Sequence, residues 1–379
     1  MSMLWIIYGL CLIVLAQFGK SKSGKGKLSS VFFRVLLILA LSVLSGIGSP
    51  SAEDHEGYAF FFRVSSWKDL TFNTIWGERT GIETSYFILC LLAKSFHVNE
   101  CVFFILIAII INTAIVSFIY RYNHPILSFM LVFTTGLLIQ EQNLLRQFIA
   151  SSIFLYSLKY LQVGSWKRYL LFIVFAMFFH SSAILMMVFL PLAFVNTKKR
   201  LDSVYKIMLF VWLFSILVAI GVVRINLLNI FSVFKFYADY MEANNVIGMQ
   251  ISLIHVIMSN FLVVVALHSA KYYDCIISFV VIVACVILNL ALCFPNLQRL
   301  YFFFYVIEWV YIAHFTSTKS YDKVDARFLE TNVLRPKNLL INLAFYAVLV
   351  YCLYLFVTGF VIDENNVLMS KTYKLSSLL

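Results

Sequence analysis

The sequence predicts an all-α polytopic integral membrane protein, with about ten full transmembrane helices, a broken pair of half-helices and external amphipathic helices. Two observations predict it. Charged residues make up only 12% of the 379 positions and hydrophobic ones 62%, whereas soluble domains carry about 25% charged residues. Apolar stretches near the length needed to cross a hydrocarbon core of about 30 Å recur from one end of the chain to the other. A β-barrel would show short alternating segments instead.

The first apolar run, residues 3–19, precedes its positive charges, KSKSGKGK at 20–27. A secretory signal has the reverse order, so this run is expected to remain as a helix running from outside to inside. Lys and Arg mark cytoplasmic loops. That accounts for the net charge of +11 without nucleic acid as a partner, and no DNA- or RNA-binding pattern occurs. Helix two, 29–48, returns outward. Residues 49–83 then form an external loop that carries Glu53, Asp54, Glu56, Glu78 and Glu83 beside Tyr58, Phe60, Phe61, Phe62, Trp67, Phe72 and Trp76. A loop so aromatic is expected to fold back onto the membrane surface as amphipathic helices. SYFILCLLAKSF (85–96) is expected to lie on the surface or half-insert, extending the external region to about residue 100.

SWKR (165–168) and TKKR (197–200) both read as cytoplasmic. Spans at 101–120, 125–140 and 143–161 connect them to the external loop, with RYNHP (121–125) inside and QEQN (140–143) outside. Residues 169–195 are too few for two full crossings and are interrupted by His180, Ser181 and Ser182. They read either as two re-entrant half-helices meeting at His180, or as one long helix with a polar notch. Spans at 203–223, 249–268, 274–294, 297–316 and 339–360 complete the chain. An external loop falls at 224–248. The cytoplasmic loops are about 20–28, 121–125, 162–168, 196–206 and 317–338. Both termini come out external, and residues 1–379 form a single transmembrane domain. The seven cysteines lie mostly in apolar runs without a CxxC, as small hydrophobes do, so no metal site is expected.

Charge at mid-membrane costs several kcal/mol, so such residues line cavities or find partners. Arg34, Lys159 and Lys206 lie near cytoplasmic ends and can snorkel. Glu308, deeper in its span, reads as a hydrogen-bonding group toward a neighbouring helix. A different set gathers at the outer face: Asp54, Glu83, Glu141, Asn143, Arg146, Gln147, His180 and Arg299. On one helix, Asn143, Arg146, Gln147 and Ala150 would share a stripe at i, i+3, i+4 and i+7. Each arginine alone reads as an interfacial anchor or ion-pair partner. Together, amid amides, acids and a histidine, they read as an anion site, because Arg offers phosphate two parallel hydrogen bonds and never loses its charge. Glu141 fits neither the stripe nor a clear partner. No HExxH, GxSxG or glycine-rich phosphate loop occurs, so the expected chemistry uses a substrate already activated in the membrane.

These residues also stand in a familiar order. The sequence resembles the EpsG-like group of Wzy-type polymerases of bacterial O-antigen and exopolysaccharide. The resemblance rests on Asp54 and Tyr58 in EDHEGYAFFFR, Glu83 in IETSYFIL, Asn143-x-x-Arg146-Gln147, His180 in FHSSAI with Pro191 after it, and Arg299-x-Tyr301-Phe302 in RLYFFF. Thr84 stands where the family usually has Pro, and Thr372-Tyr373-Lys374 where it has Pro-Tyr-Lys. The resemblance implies a glycosyltransferase of the bacterial inner membrane that needs no nucleotide or metal. It would move a growing glycan from undecaprenyl pyrophosphate to a lipid-linked repeat unit. It implies that Arg146 and Arg299, with Gln147 and Asn143, hold the pyrophosphate, and that His180, Asp54 or Glu83 takes the acceptor's proton, ranked in that order. Tyr58, Trp67, Trp76 and Tyr301 are candidates for stacking on sugars. Partners implied are the undecaprenyl-pyrophosphate-linked oligosaccharides themselves, membrane lipids, a chain-length regulator and a flippase. A flippase would instead show pseudo-symmetric halves, a membrane O-acyltransferase would need an acyl-donor site reached from the cytoplasm, and an assembly subunit would carry no chemistry.

Overall fold

The structure, a computed structural model, describes residues 2–20, 27–47, 53–69, 84–121, 125–134, 137–194, 198–220, 253–269, 275–292, 297–315 and 350. Glu83, Trp76, the loops at 224–248 and 317–338, nearly all of the last span at 339–360 and Thr372–Lys374 lie outside them. The described residues form helices and contain no strand. The chain divides into two compact units, Met1–Leu190 with Leu349–Leu379, and Pro191–Val348.

In the first unit, α1 (Ser2–Phe18) and α2 (Lys27–Ile47) pair antiparallel across the lysine-rich loop. Arg34 of α2 donates from Nε to the Gly19 carbonyl at 2.8 Å and stacks over Tyr120. The expected snorkelling residue thus caps the end of α1, where unpaired carbonyls favour a cation. α3 (Glu53–Val64) is amphipathic, as expected for this segment: Tyr58, Ala59 and Phe62 are buried, and Asp54, Glu56 and Arg63 are exposed. α4 (Thr84–Ser95) packs on α3. Lys94 Nζ donates to the Arg63 and Ser65 carbonyls at 2.9 and 2.6 Å, closing α3's last turn.

Helix α5 (Glu100–Arg121) and α2 are the two described helices long and apolar enough to cross a bilayer. They pack closely at Gly46, where a Cβ would sit 2.5 Å from the Ile105 Cα. Small residues allow that approach, which is how helices bind in lipid.

The expected span at 143–161 corresponds to α8 (Leu145–Gln162), and the expected span at 125–140 falls on α6 (Pro125–Thr134) and α7 (Leu137–Asn143), with residues 135–136 outside those described. QEQN lies in α7 and is not an exposed loop. Gln140, Glu141 and Gln142 are buried in α7.

α9 (Trp166–Met177) ends at His180, and a 14-residue 3-10 helix, Ser181–Phe194, follows. The interruption expected at His180 is present. The 3-10 helix buries Ala183, Met186, Phe189 and Leu192, a spacing of three that matches three residues per turn. Ile184, Leu185, Val188 and Phe194 are exposed, the face that lipid would cover. Tyr169 donates to the Met186 carbonyl at 2.6 Å. Tyr169 lies about 13 Å from the break along an α-helix, and Met186 about 12 Å along a 3-10 helix. The two limbs thus run back alongside each other as a hairpin with His180 at its tip, and one continuous helix is ruled out.

The second unit is organised by α12 (Cys275–Ala291), which packs on α10 (Lys198–Ala219), α11 (Leu253–Ser269), α13 (Leu297–Tyr301) and α14 (Tyr305–Phe315). The expected helix at 297–316 is interrupted. Phe302, Phe303 and Phe304 donate to the carbonyls three residues back, at 3.3, 3.1 and 2.8 Å, forming a tight link between α13 and α14. An amide zipper crosses the unit. Trp212 Nε1 donates to Asn260 Oδ1 at 2.9 Å, Asn260 Nδ2 to Asn289 Oδ1 at 2.7 Å, and Asn289 Nδ2 to Ser215 Oγ at 3.0 Å.

The two faces of the 3-10 helix should differ sharply in tolerance. Phe189 is buried and stacks on Phe154 at 5.9 Å, so Phe189→Ala costs about 3 kcal/mol. Val188→Ala, on the exposed face, changes stability by less than about 0.5 kcal/mol. Reversible unfolding of the detergent-solubilised protein checks both.

Candidate functional site

The first unit assembles a cluster from two discontinuities of its backbone. At the α7–α8 junction, Leu144 leaves helical geometry (φ −117°, ψ 39°). Its amide still donates to Gln140 O at 2.9 Å, and Phe148 N to Leu144 O at 2.8 Å, so the junction is a kink held by hydrogen bonds. Asn143 therefore ends one helix while Arg146, Gln147 and Ala150 belong to the next. This corrects the single stripe drawn from helical spacing.

What holds the junction is Glu141, the residue that spacing alone leaves unexplained. Its carboxylate is buried and accepts from Ser45 Oγ of α2 at 2.9 Å and from Asn112 Nδ2 of α5 at 3.3 and 3.5 Å. Gln142 Nε2 donates to the Leu44 carbonyl at 3.3 Å. Hydrogen bonds that satisfy a buried acid remove the penalty of leaving its oxygens unpaired. Ser45 and Asn112 are the functional supports that sequence reading missed. Asn112 was visible as an amide amid an apolar span, whereas Ser45 had no distinguishing signal.

Beyond the kink, the Arg146 guanidinium lies over the Tyr58 ring of α3, 5.6 Å from its centroid. Tyr58 is 9% exposed and meets Tyr86 of α4 edge-on at 5.5 Å. Tyr58 is thus the seat of Arg146, with little face open to stack on a sugar. Asp54 is exposed one turn earlier on α3. Gln147 is buried. Asn143 Oδ1 and Ser152 Oγ are buried without a hydrogen-bond partner among the described residues, and polar atoms in that state are uncommon away from ligand or water sites.

The second discontinuity is the hairpin tip. His180 is half-buried, with Nδ1 2.6 Å from Ser182 Oγ. Ser85 Oγ of α4 hydrogen-bonds to the Phe178 carbonyl. α4 therefore joins the tip to Tyr86, Tyr58 and Arg146 through a run of adjacent contacts. Trp67 is exposed, with Nε1 donating to Ser95 Oγ at 2.8 Å. In the second unit, Arg299 is exposed on α13 and Tyr301 is buried, its hydroxyl engaged by His255 and Glu308. Glu308 accepts from Ser259 Oγ of α11 as well, supplying the interhelical hydrogen bond expected of it.

His55, beside Asp54 on α3, gives the cluster a pH dependence. Its ring packs on Phe104 at 4.5 Å. Burial lowers its pKa from the ordinary 6.5, more than Glu56 raises it. The folded state thus binds fewer protons than the unfolded one, so α3 docking is fully favoured above the unfolded pKa and is lost as pH falls through the lower folded value. Hydrogen exchange in 53–64, corrected for intrinsic rates, should quicken as pH drops from about 7 to 5. In His55→Phe that change should vanish.

Comparison with known proteins adds one match. A model of the EpsG family covers residues 31–368, which takes in α2, the α7–α8 junction, the His180 hairpin and Arg299. No curated protein and no solved structure matches the chain. On a match of that extent, the chain is a helical membrane protein that belongs to the EpsG family.

Proposed function

We propose that the protein is a polysaccharide polymerase acting at the outer face of the bacterial inner membrane, on O-antigen or exopolysaccharide repeat units. The donor is a growing glycan on undecaprenyl pyrophosphate, and the acceptor is a lipid-linked repeat unit. The acceptor hydroxyl oxygen bonds to the anomeric carbon of the donor. The bond from that carbon to the pyrophosphate oxygen breaks, and its electron pair leaves with the lipid pyrophosphate. Family membership supports a polymerase role. The observation that carries the reading is Arg146, an always-charged guanidinium seated on Tyr58 at a helix break among buried amides.

A guanidinium fixed before substrate arrives stabilises negative charge as it develops, at no cost in reorganisation. Arg146 has that preorganisation from Tyr58 and the kink, with Asn143 and Gln147 as neighbouring donors. Arg299 is assigned the same chemistry from its exposed place in the second unit. His180 is the first choice for the base. Ser182 orients its ring, and imidazole suits proton transfer near neutral pH. Asp54 and Glu83 follow. Trp67 and Trp76 remain the candidates for sugar stacking.

The test is complementation of a deletion strain, with the glycan resolved by length. Arg146→Ala and Arg299→Ala each reduce ladder formation by about 100-fold, leaving lipid with a single repeat unit. Arg146→Lys fails to restore wild-type length, because an ammonium lacks the paired donors. His180→Ala gives the same single-unit product. Unchanged ladders in all three alanine variants overturn the assignment, and loss of the single unit itself would indicate a flippase.

A further inference from the structure

The second unit contains a buried polar chain that the proposed reaction does not use. His255 Nε2 and Tyr301 OH are 2.6 Å apart. The Tyr301 hydroxyl also donates to Glu308 Oε2, and Ser259 Oγ donates to Glu308 Oε1. All four side chains are buried. An aromatic box closes around them: the His255 ring lies 5.4 Å from Tyr301, 6.2 Å from Tyr305 and 5.4 Å from Trp309.

This chain ends on α13, which has only five residues. A helix that short has no stability of its own, since isolated helices below about 12 residues are marginal. Its orientation must come from what it touches. On it, Arg299 is exposed and Tyr301 is buried. The two are separated by a single residue. The tight turn through Phe302–Phe304 then ties α13 to α14, which carries Glu308. The hydroxyl of Tyr301 is thus pinned from both sides, by α11 through His255 and by α14 through Glu308.

We infer that Glu308 and His255 are positioning residues, which aim Arg299 by holding the Tyr301 hydroxyl. The inference deepens the polymerase reading by naming what preorganises its second arginine. It also gives Glu308 a reason to be buried. An acid inside an apolar span is costly unless its hydrogen bonds are made, and here a tyrosine and a serine supply them. Tyr301 is accordingly an anchor rather than a sugar platform.

The test reads the placement of residue 299 directly. In full-length protein in native membranes, Arg299→Cys introduces a thiol whose alkylation rate is followed peptide by peptide, with the natural exposed Cys101 as internal control. Adding Tyr301→Phe keeps the ring and removes only the hydroxyl. The rate at position 299 should shift by about tenfold, the equivalent of one buried hydrogen bond, while Cys101 is unchanged. Glu308→Gln should produce a shift in the same direction. If either variant accumulates poorly, Tyr301→Phe with Glu308→Leu removes both buried partners together and restores the level while retaining the shift. Rates at 299 within twofold of the parent in all of these overturn the inference.

Ladders from the same substitutions, in chains that keep Arg299, separate this from the polymerase reading. A labelling shift with normal ladders for both Tyr301→Phe and Arg299→Ala leaves the positioning intact and refutes the role of Arg299. Short ladders for Arg299→Ala with no labelling shift refute the positioning alone.

Discussion

The first unit depends on one buried carboxylate. Glu141 sits where three helices meet, and α7, which carries it, is a seven-residue helix that could not persist unsupported. Three consecutive residues of α2 receive it. The Leu44 carbonyl accepts from Gln142, the Ser45 hydroxyl donates to Glu141, and Gly46 lets α5 approach until Asn112 reaches the same carboxylate. Successive residues on a helix point about 100° apart, so this one turn of α2 serves both neighbours at once. A buried acid left without those donors would carry a penalty of several kcal/mol. The arrangement is therefore close to all-or-none, and it fixes the angle at Leu144 from which Arg146 projects.

The second unit applies similar physics with different residues. In lipid, apolar side chains gain little by leaving one apolar surrounding for another, so helix pairing relies on packing and polar contacts. Trp212, Ser215, Asn260 and Asn289 link α10, α11 and α12 through satisfied amides, and Glu308 links α14 to α11. Nearly every described residue of α12 is buried, which suits a central helix that is apolar all round. The polar residues in these spans are hydrogen-bonded rather than scattered, as burial requires.

What could be read from the sequence follows from how local each signal is. The break at His180 was legible because three polar residues interrupt an apolar run. An amphipathic helix within 49–83 was legible because a segment so rich in aromatics is too apolar to be a free linker. The kink at Leu144 was not, since neither proline nor glycine marks it and Ser45, which supports the adjoining Glu141, lies 96 residues before that acid. The stripe through Asn143 failed for that reason alone, while its Arg146–Gln147–Ala150 portion stands. The 3-10 form of 181–194 was not legible, because residues 183–194 are apolar at every position and no period of three stands out. The depth of Glu308 was visible, but its partners on α11 and α13 were matters of tertiary packing.

The residues assigned to chemistry share one backbone circumstance. Asn143 and Arg146 flank the kink at Leu144, His180 occupies the tip between an α-helix and a 3-10 helix, and Arg299 lies on a five-residue helix that ends in a tight turn. A regular helix in a membrane satisfies its own amides and carbonyls and presents only side chains. Where it stops, backbone groups and side chains become available together, and the backbone there must be held by something else. Here Glu141 holds the first break, the Tyr169–Met186 and Ser85–Phe178 hydrogen bonds brace the second, and Tyr301 braces the third. Interrupting the helices exposes functional groups, and the buried polar contacts make the interruptions rigid. The proposed pyrophosphate site, which has to hold its charges without rearranging, would need both.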